Sequence, residues 1–156
     1  MTVWRRNIPA IGLFSLIVIV LYLIWARASV VTFALFYSGG LPTLESLLAE
    51  LARFENMEFM IAYLLVGGFF AGLVFSFSVV AIPLMLDRDQ DTVTAMLASF
   101  LAVVRNAPAM LVWGALIVLL TVLGFATGLA GLLITMPLAG HATWHAYRAL
   151  VEQEKE

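Results

Sequence analysis

Forty-two consecutive residues, Asn106 to Tyr147, pass without a charged side chain, and this run limits what the chain can fold into more than any other feature. Three shorter gaps accompany it: 20 residues between Arg6 and Arg27, 17 between Arg27 and Glu45, and 28 from Phe59 to Leu86. A helix crosses the hydrocarbon core of a bilayer in about 20 apolar residues. The first and third gaps therefore hold one span each, and the longest has to fold back on itself. Composition agrees, with 63% hydrophobic and 12% charged residues, where a soluble domain carries about 25% charged. So few charges cannot cover a water-facing surface, and the bilayer is the solvent of this chain.

The expected fold is all-α: a polytopic helical membrane protein forming one integral membrane domain over residues 1–156, with four spans at about 8–37, 57–86, 108–126 and 129–149. The last two are separated by a reversal in GFATGLAG, Gly124–Gly131, because glycine tolerates the positive φ of a tight turn. The short second gap reads as a continuation of the first helix, ending at Ser38-Gly39-Gly40. Two short amphipathic helices are expected not to span, at about 43–55 and 91–105. The first sets Leu44, Leu47, Leu48 and Leu51 on one side, with Thr43 as N-cap. The second sets Val93, Met96, Leu97, Phe100 and Val104 against a face of Ala95, Ala98, Ser99 and Ala102. That small-residue face lacks the Lys and Arg of a helix lying on anionic lipid, so it is expected to pack against other helices.

Packing signals are less specific. Gly68-Phe-Phe-Ala-Gly72 has the spacing that lets helix backbones approach closely. Packing within the chain is favoured for it over self-association. Ser76, Ser78, Thr121 and Thr135 can hydrogen-bond across helices or back to their own carbonyls, and spacing does not decide between these. Pro83 and Pro137 each remove a backbone bond and permit a kink.

Orientation follows from the basic residues. With the N-terminus cytoplasmic, Arg5, Arg6, Arg88, Arg105, Arg148 and Lys155 fall inside, which is the positive-inside distribution. Both termini are then cytoplasmic, and Trp4, Trp113, Trp144 and Tyr147 lie near the inner ends of spans as interfacial aromatics. The start also imitates a signal peptide, with Ala26-Arg27-Ala28 at the cleavage position. Its apolar run is longer than a usual signal, so an uncleaved span is favoured. A net charge of −2 offers no basic field for nucleic acid, and the absence of cysteine excludes disulfides and thiolate metal sites.

One polar constellation stands out. The second span ends in IPLMLDRDQD and the fourth in GHATWHAYR, both at the same face. His141, His145 and Arg148 share one helical stripe. They are expected within reach of Asp87, Asp89 or Asp91, with Arg88 beside them. Two histidines four apart plus a carboxylate suit zinc or another divalent ion, which makes His141 and His145 candidate metal ligands; the same set suits a proton relay. A structural polar lock is favoured over both. A haem is disfavoured because His141 and His145 share a face while axial ligands approach from opposite sides. No catalytic triad, phosphate-cradling loop or nucleotide fingerprint is present. No catalytic residue is assigned and no cofactor is expected.

From about Trp25 to Val151 the chain resembles domain-of-unknown-function family 2189, predicted bacterial integral membrane proteins. The resemblance is carried by PLMLDRD, Pro83–Asp89, and PLAGHATWHAYR, Pro137–Arg148. It implies a bacterial inner-membrane location and a chain corresponding to the C-terminal portion of longer members. Some relatives carry a label suggesting a cytochrome c oxidase subunit, but the haem-ligand histidines of the catalytic subunit are not found here and that activity is not carried over. The resemblance assigns no catalytic residue.

The expected role is a non-enzymatic accessory or assembly subunit of a larger membrane complex. The alternative is a small transporter or ion-handling protein using the His/Asp cluster. The expected partners are the lipid bilayer, and either other membrane subunits or a second copy through Gly68 and Gly72.

Overall fold

The computed structural model describes residues 7–37 and 43–153. Seven helices follow one another among these residues: α1 Ile8–Phe36, α2 Leu44–Arg53, α3 Met57–Ser78, α4 Ala81–Arg88, α5 Thr92–Arg105, α6 Ala107–Ala126 and α7 Leu132–Gln153. The all-α expectation holds. Two compact units are distinguished, Ser15–Val74 and Met1–Phe14 with Phe75–Glu156.

In the Ser15–Val74 unit, α1 runs unbroken through the second charge-free gap, as expected, and remains helical to Phe36. The expected stop at Ser38–Gly40 lies outside the described residues. Phe33, Phe36, Tyr37, Phe59 and Tyr63 form an aromatic cluster between the end of α1 and the start of α3, with ring centroids 4.9–5.8 Å apart. Tyr37 Oη donates to Glu50 Oε2 at 2.5 Å, which ties α2 to the end of α1. Thr43 caps α2 as expected, its Oγ1 accepting from Ser46 N–H at 3.2 Å. The side chains of Leu44, Leu47, Leu48 and Leu51 lie outside the described set. A Cβ placed on Gly68 or Gly72 meets nothing within 4 Å. Among the described residues of this unit the pair meets no other helix, and both glycines are exposed there with Ile61, Leu64, Leu65 and Phe69.

In the second unit, the expected single span 57–86 is interrupted. α3 stops at Ser78, two residues turn, and α4 restarts at Ala81. The cause lies four residues downstream of the break. Pro83 has no N–H to give the Val79 carbonyl, and its ring crowds that carbonyl. A regular helix would also join Val80 N–H to the Ser76 carbonyl. Here the Ser99 hydroxyl stands between them, accepting from Val80 N–H at 3.1 Å and donating to Ser76 O at 2.8 Å. Ser99 is fully buried, as are Ala81 on α4 and Ala95 on α5. The small-residue face of α5 thus packs on α4, as its composition suggested, while Val93, Leu97 and Val104 are more than half exposed. Small residues inside and large ones outside is the arrangement for a helix whose surroundings are lipid.

The reversal falls where glycine placed it. α6 ends at Ala126, α7 begins at Leu132, and Gly128 takes φ +64°. Thr127 Oγ1 donates to Gly124 O at 2.9 Å and accepts from Gly131 N–H at 2.8 Å, closing the turn. A Cβ on Gly131 would collide with Thr127 Oγ1 and lie 3.1 Å from Gly124 Cα, so the two glycines allow the strands of the hairpin to touch. Of the hydroxyls left open by spacing, Ser78 and Thr121 bond back to carbonyls of their own helices. Thr135 Oγ1 is buried without a partner among the described residues.

Among the described residues three stretches are long and apolar enough to cross a membrane: Ile8–Phe36, Met57–Arg88 and Ala107–Ala126. The residues expected to make a fourth span form a 22-residue helix, α7, which is not among these stretches, because His141, His145 and Arg148 interrupt its C-terminal half.

Two outcomes are expected. Ser99→Ala leaves two buried backbone groups without partners and lowers stability in detergent by about 1–3 kcal/mol, read from chemical unfolding. Gly131→Ala overpacks the hairpin and lowers stability by about 1–3 kcal/mol, whereas Gly68→Ala, in open space, leaves it within error.

Candidate functional site

The charged end of α4 and the C-terminal half of α7 both belong to the Phe75–Glu156 unit, and α4 packs on α7. Their contact is made by Tyr147, whose Oη donates to Asp87 Oδ2 at 3.0 Å. Tyr147 is 2% exposed. Expected among the interfacial aromatics, it is turned into the protein, and its hydroxyl gives the half-exposed Asp87 a partner at the apolar boundary. Arg88 Nε lies 4.0 Å from the same carboxylate oxygen. A carboxylate near hydrocarbon costs several kcal/mol unless paired or wetted, and Asp87 has both a hydroxyl donor and exposure.

The remaining acids serve the backbone. Asp89 takes φ +56° and ends α4 in the left-handed conformation that Asp tolerates better than most residues. Asp91 is the N-cap of α5, its Oδ1 accepting from Val93 N–H at 3.1 Å and Thr94 N–H at 3.0 Å. Hydrogen bonds to Thr94, from its side chain and its backbone, hold the Asp91 carboxyl below the usual carboxylate range.

Two residues not singled out in the sequence complete this end. Asn7 Nδ2 donates to Gln90 O at 2.7 Å and Met85 O at 3.3 Å, covering carbonyls that the end of α4 leaves without helical donors. Thr92 Oγ1, buried, donates to Ala10 O at 2.8 Å, joining the start of α5 to the start of α1. Asn7 had a faint signal, as the last polar residue before an apolar run.

His141, His145 and Arg148 share the exposed face of α7. His141 Nδ1 lies 2.9 Å from Pro137 O; a carbonyl only accepts, so Nδ1 carries the proton. Among the described residues no group of three or more His, Asp or Glu side chains is gathered in a way that could hold a metal ion. The helix ends expected to meet do meet, through a phenol and a carboxylate.

Tyr147→Phe is expected to lower thermal stability in detergent, and Asp87→Asn to lower it less because an amide oxygen still accepts from the phenol. Asp91→Ala is expected to destabilise α5 at neutral pH. The capping contribution of Asp91 is fully present above the unfolded carboxylate pKa of about 3.9 and is lost as pH falls through the lowered folded value. The difference between wild type and Asp91→Ala in a pH series of melting curves should therefore shrink only in strong acid.

Comparison with known proteins adds the family. No curated protein and no solved structure matches the chain significantly. The family model described as "Predicted integral membrane protein (DUF2189)" matches residues 1–87, more than half of the sequence. The match includes Pro83–Asp87 and reaches the first residue, where the resemblance was expected to begin near Trp25; the Pro137–Arg148 element lies outside it. With its apolar helices and this match, the chain belongs to the DUF2189 family of predicted integral membrane proteins.

Proposed function

We propose that the protein is a non-enzymatic accessory or assembly subunit of a larger membrane complex. The observation that carries this reading is the open face of α3. Ile61, Leu64, Leu65, Gly68, Phe69 and Gly72 lie on one exposed stripe, and the two glycines leave a shallow backbone groove that no described side chain of this unit fills. Grooves of this kind let a second helix approach closely. The polar groups at the end of α4 are occupied in holding helix ends: Asp91 and Asn7 bind backbone groups and Asp87 binds Tyr147. That employment favours a structural use over ion handling.

The proposed location is the bacterial inner membrane with both termini cytoplasmic and α7 as a fourth crossing. The basic residues support the orientation. The hydrogen bond from Tyr147 to Asp87 supports the fourth crossing, since α7 packs along α6 and its C-terminal half reaches the charged end of α4.

Native purification in mild detergent tests the role. A subunit that co-purifies with the wild-type protein and is lost in Gly68→Leu/Gly72→Leu, with melting temperature unchanged, is the expected result. A lone species carrying a stoichiometric divalent metal would replace this reading with ion handling. For topology, an introduced cysteine at Glu55 should react with impermeant reagent from outside the cell, and one at Asp89 or Gln153 only after permeabilisation.

A further inference from the structure

A cleft of about 430 Å³ opens between α3–α4, α6 and α7, within one unit. Its walls are apolar, with Phe75, Ile82, Leu86, Ile117, Gly140 and Trp144 among them. Phe75 and Ser78 on α3 and Ile82, Pro83 and Leu86 on α4 line it in succession, so the cleft follows this wall from one side of the break to the other. Its Leu86 and Trp144 end lies toward Asp87 and Arg88, where the chain becomes charged. A slot of this shape suits an extended hydrocarbon chain better than a compact ligand.

The face of α7 beside the cleft changes character along its length. In the N-terminal half the exposed residues are Leu133, Ile134, Pro137 and Leu138. In the C-terminal half they are His141, Trp144, His145 and Arg148. At about 100° per residue, Trp144 lies on the border between the cleft and the basic stripe. Arg148 follows it one turn later on the same side. α7 carries no acid before Glu152. Because its Nδ1 is bound to Pro137 O, Nε2 is the His141 nitrogen left to meet a ligand, and it donates to a phosphate in the imidazolium form, in which both ring nitrogens carry protons. An apolar slot that ends beside an indole and a basic stripe complements a molecule with a hydrocarbon tail and an anionic head.

We propose that the cleft and this stripe form a binding site for one anionic phospholipid. An acyl chain lies along the cleft, and the phosphate rests on the face of His141, His145 and Arg148, with Trp144 at the level of the glycerol backbone. Basic pockets between membrane helices hold anionic headgroups in this way. The proposal is independent of the accessory role, which rests on the other unit.

The test uses the full chain in phosphatidylcholine vesicles, with brominated phosphatidylglycerol or brominated phosphatidylcholine as quencher of tryptophan fluorescence. The part of the signal lost in Trp144→Phe reports the site. Phosphatidylglycerol is expected to quench that part at about fivefold lower mole fraction, the equivalent of one basic residue near an anionic surface. His141→Gln/His145→Gln/Arg148→Gln should abolish the preference while leaving quenching. Gly140→Leu should weaken quenching by both lipids; its side chain projects into open space, with nothing within 4 Å of the Cβ, so the fold tolerates it. Equal quenching by the two lipids in the wild type, or a preference that survives the triple substitution, would overturn the proposal. So would a Trp144 that neither lipid quenches, which would mean that protein covers this face.

Discussion

In hydrocarbon a backbone group without a partner cannot turn to water, so each interruption of a helix has to be repaired from within the protein. Here the interruption follows from Pro83, and the repair is one hydroxyl. Ser99 takes the Val80 N–H and returns a proton to the Ser76 carbonyl, replacing one helical bond with two. Because both partners are on the broken strand of helix and the hydroxyl is on α5, the repair also fixes where α5 lies. That position places Gln90 and Thr92 beside Asn7 and Ala10, where they are stitched to the start of α1. The polar end of the unit is thus built on a defect in an apolar helix.

The packing around that bond reverses the habit of soluble proteins. On α5 Ala95 and Ser99 face inward while Val93, Leu97, Phe100, Leu101 and Val104 face out. Between helices in lipid there is no apolar surface to withdraw from water, so close approach and hydrogen bonding decide the contact. The α6–α7 hairpin follows the same rule, with Gly124 and Gly131 in contact and Thr127 bonded to both. Gly68 and Gly72, four residues apart on one face of α3, meet no described side chain of their own unit, which is why a partner is proposed there rather than at the other glycines.

Charge-free gaps made the helices legible, since their lengths are set by the bilayer. Thr43, the Gly124–Gly131 reversal and the inward face of α5 were also readable, because each rests on local chemistry. The break at Val79–Val80 was not. Pro83 announces a possible kink, but whether a helix bends or parts depends on what supplies the missing bonds, and Ser99 lies 19 residues away from Val80. Asp87 was found by its position at the boundary. Its partner was missed because a tyrosine near a span end reads equally well as a lipid-facing aromatic, and only packing shows which way the ring turns. α7 shows the limit of counting charges alone: histidines, threonines and a glycine leave it less apolar than its neighbours over a stretch that holds no Asp, Glu, Lys or Arg before Arg148.

The most direct measurement is amide hydrogen exchange at Val80, resolved by NMR on the protein in bicelles. The Val80 amide should exchange slowly in the wild type, and Ser99→Ala should speed its exchange while Val79 and Leu84, which keep helical acceptors, stay protected. A Val80 amide that exchanges at the same rate with and without the Ser99 hydroxyl would contradict the account, because the break would then be closed by something other than that side chain.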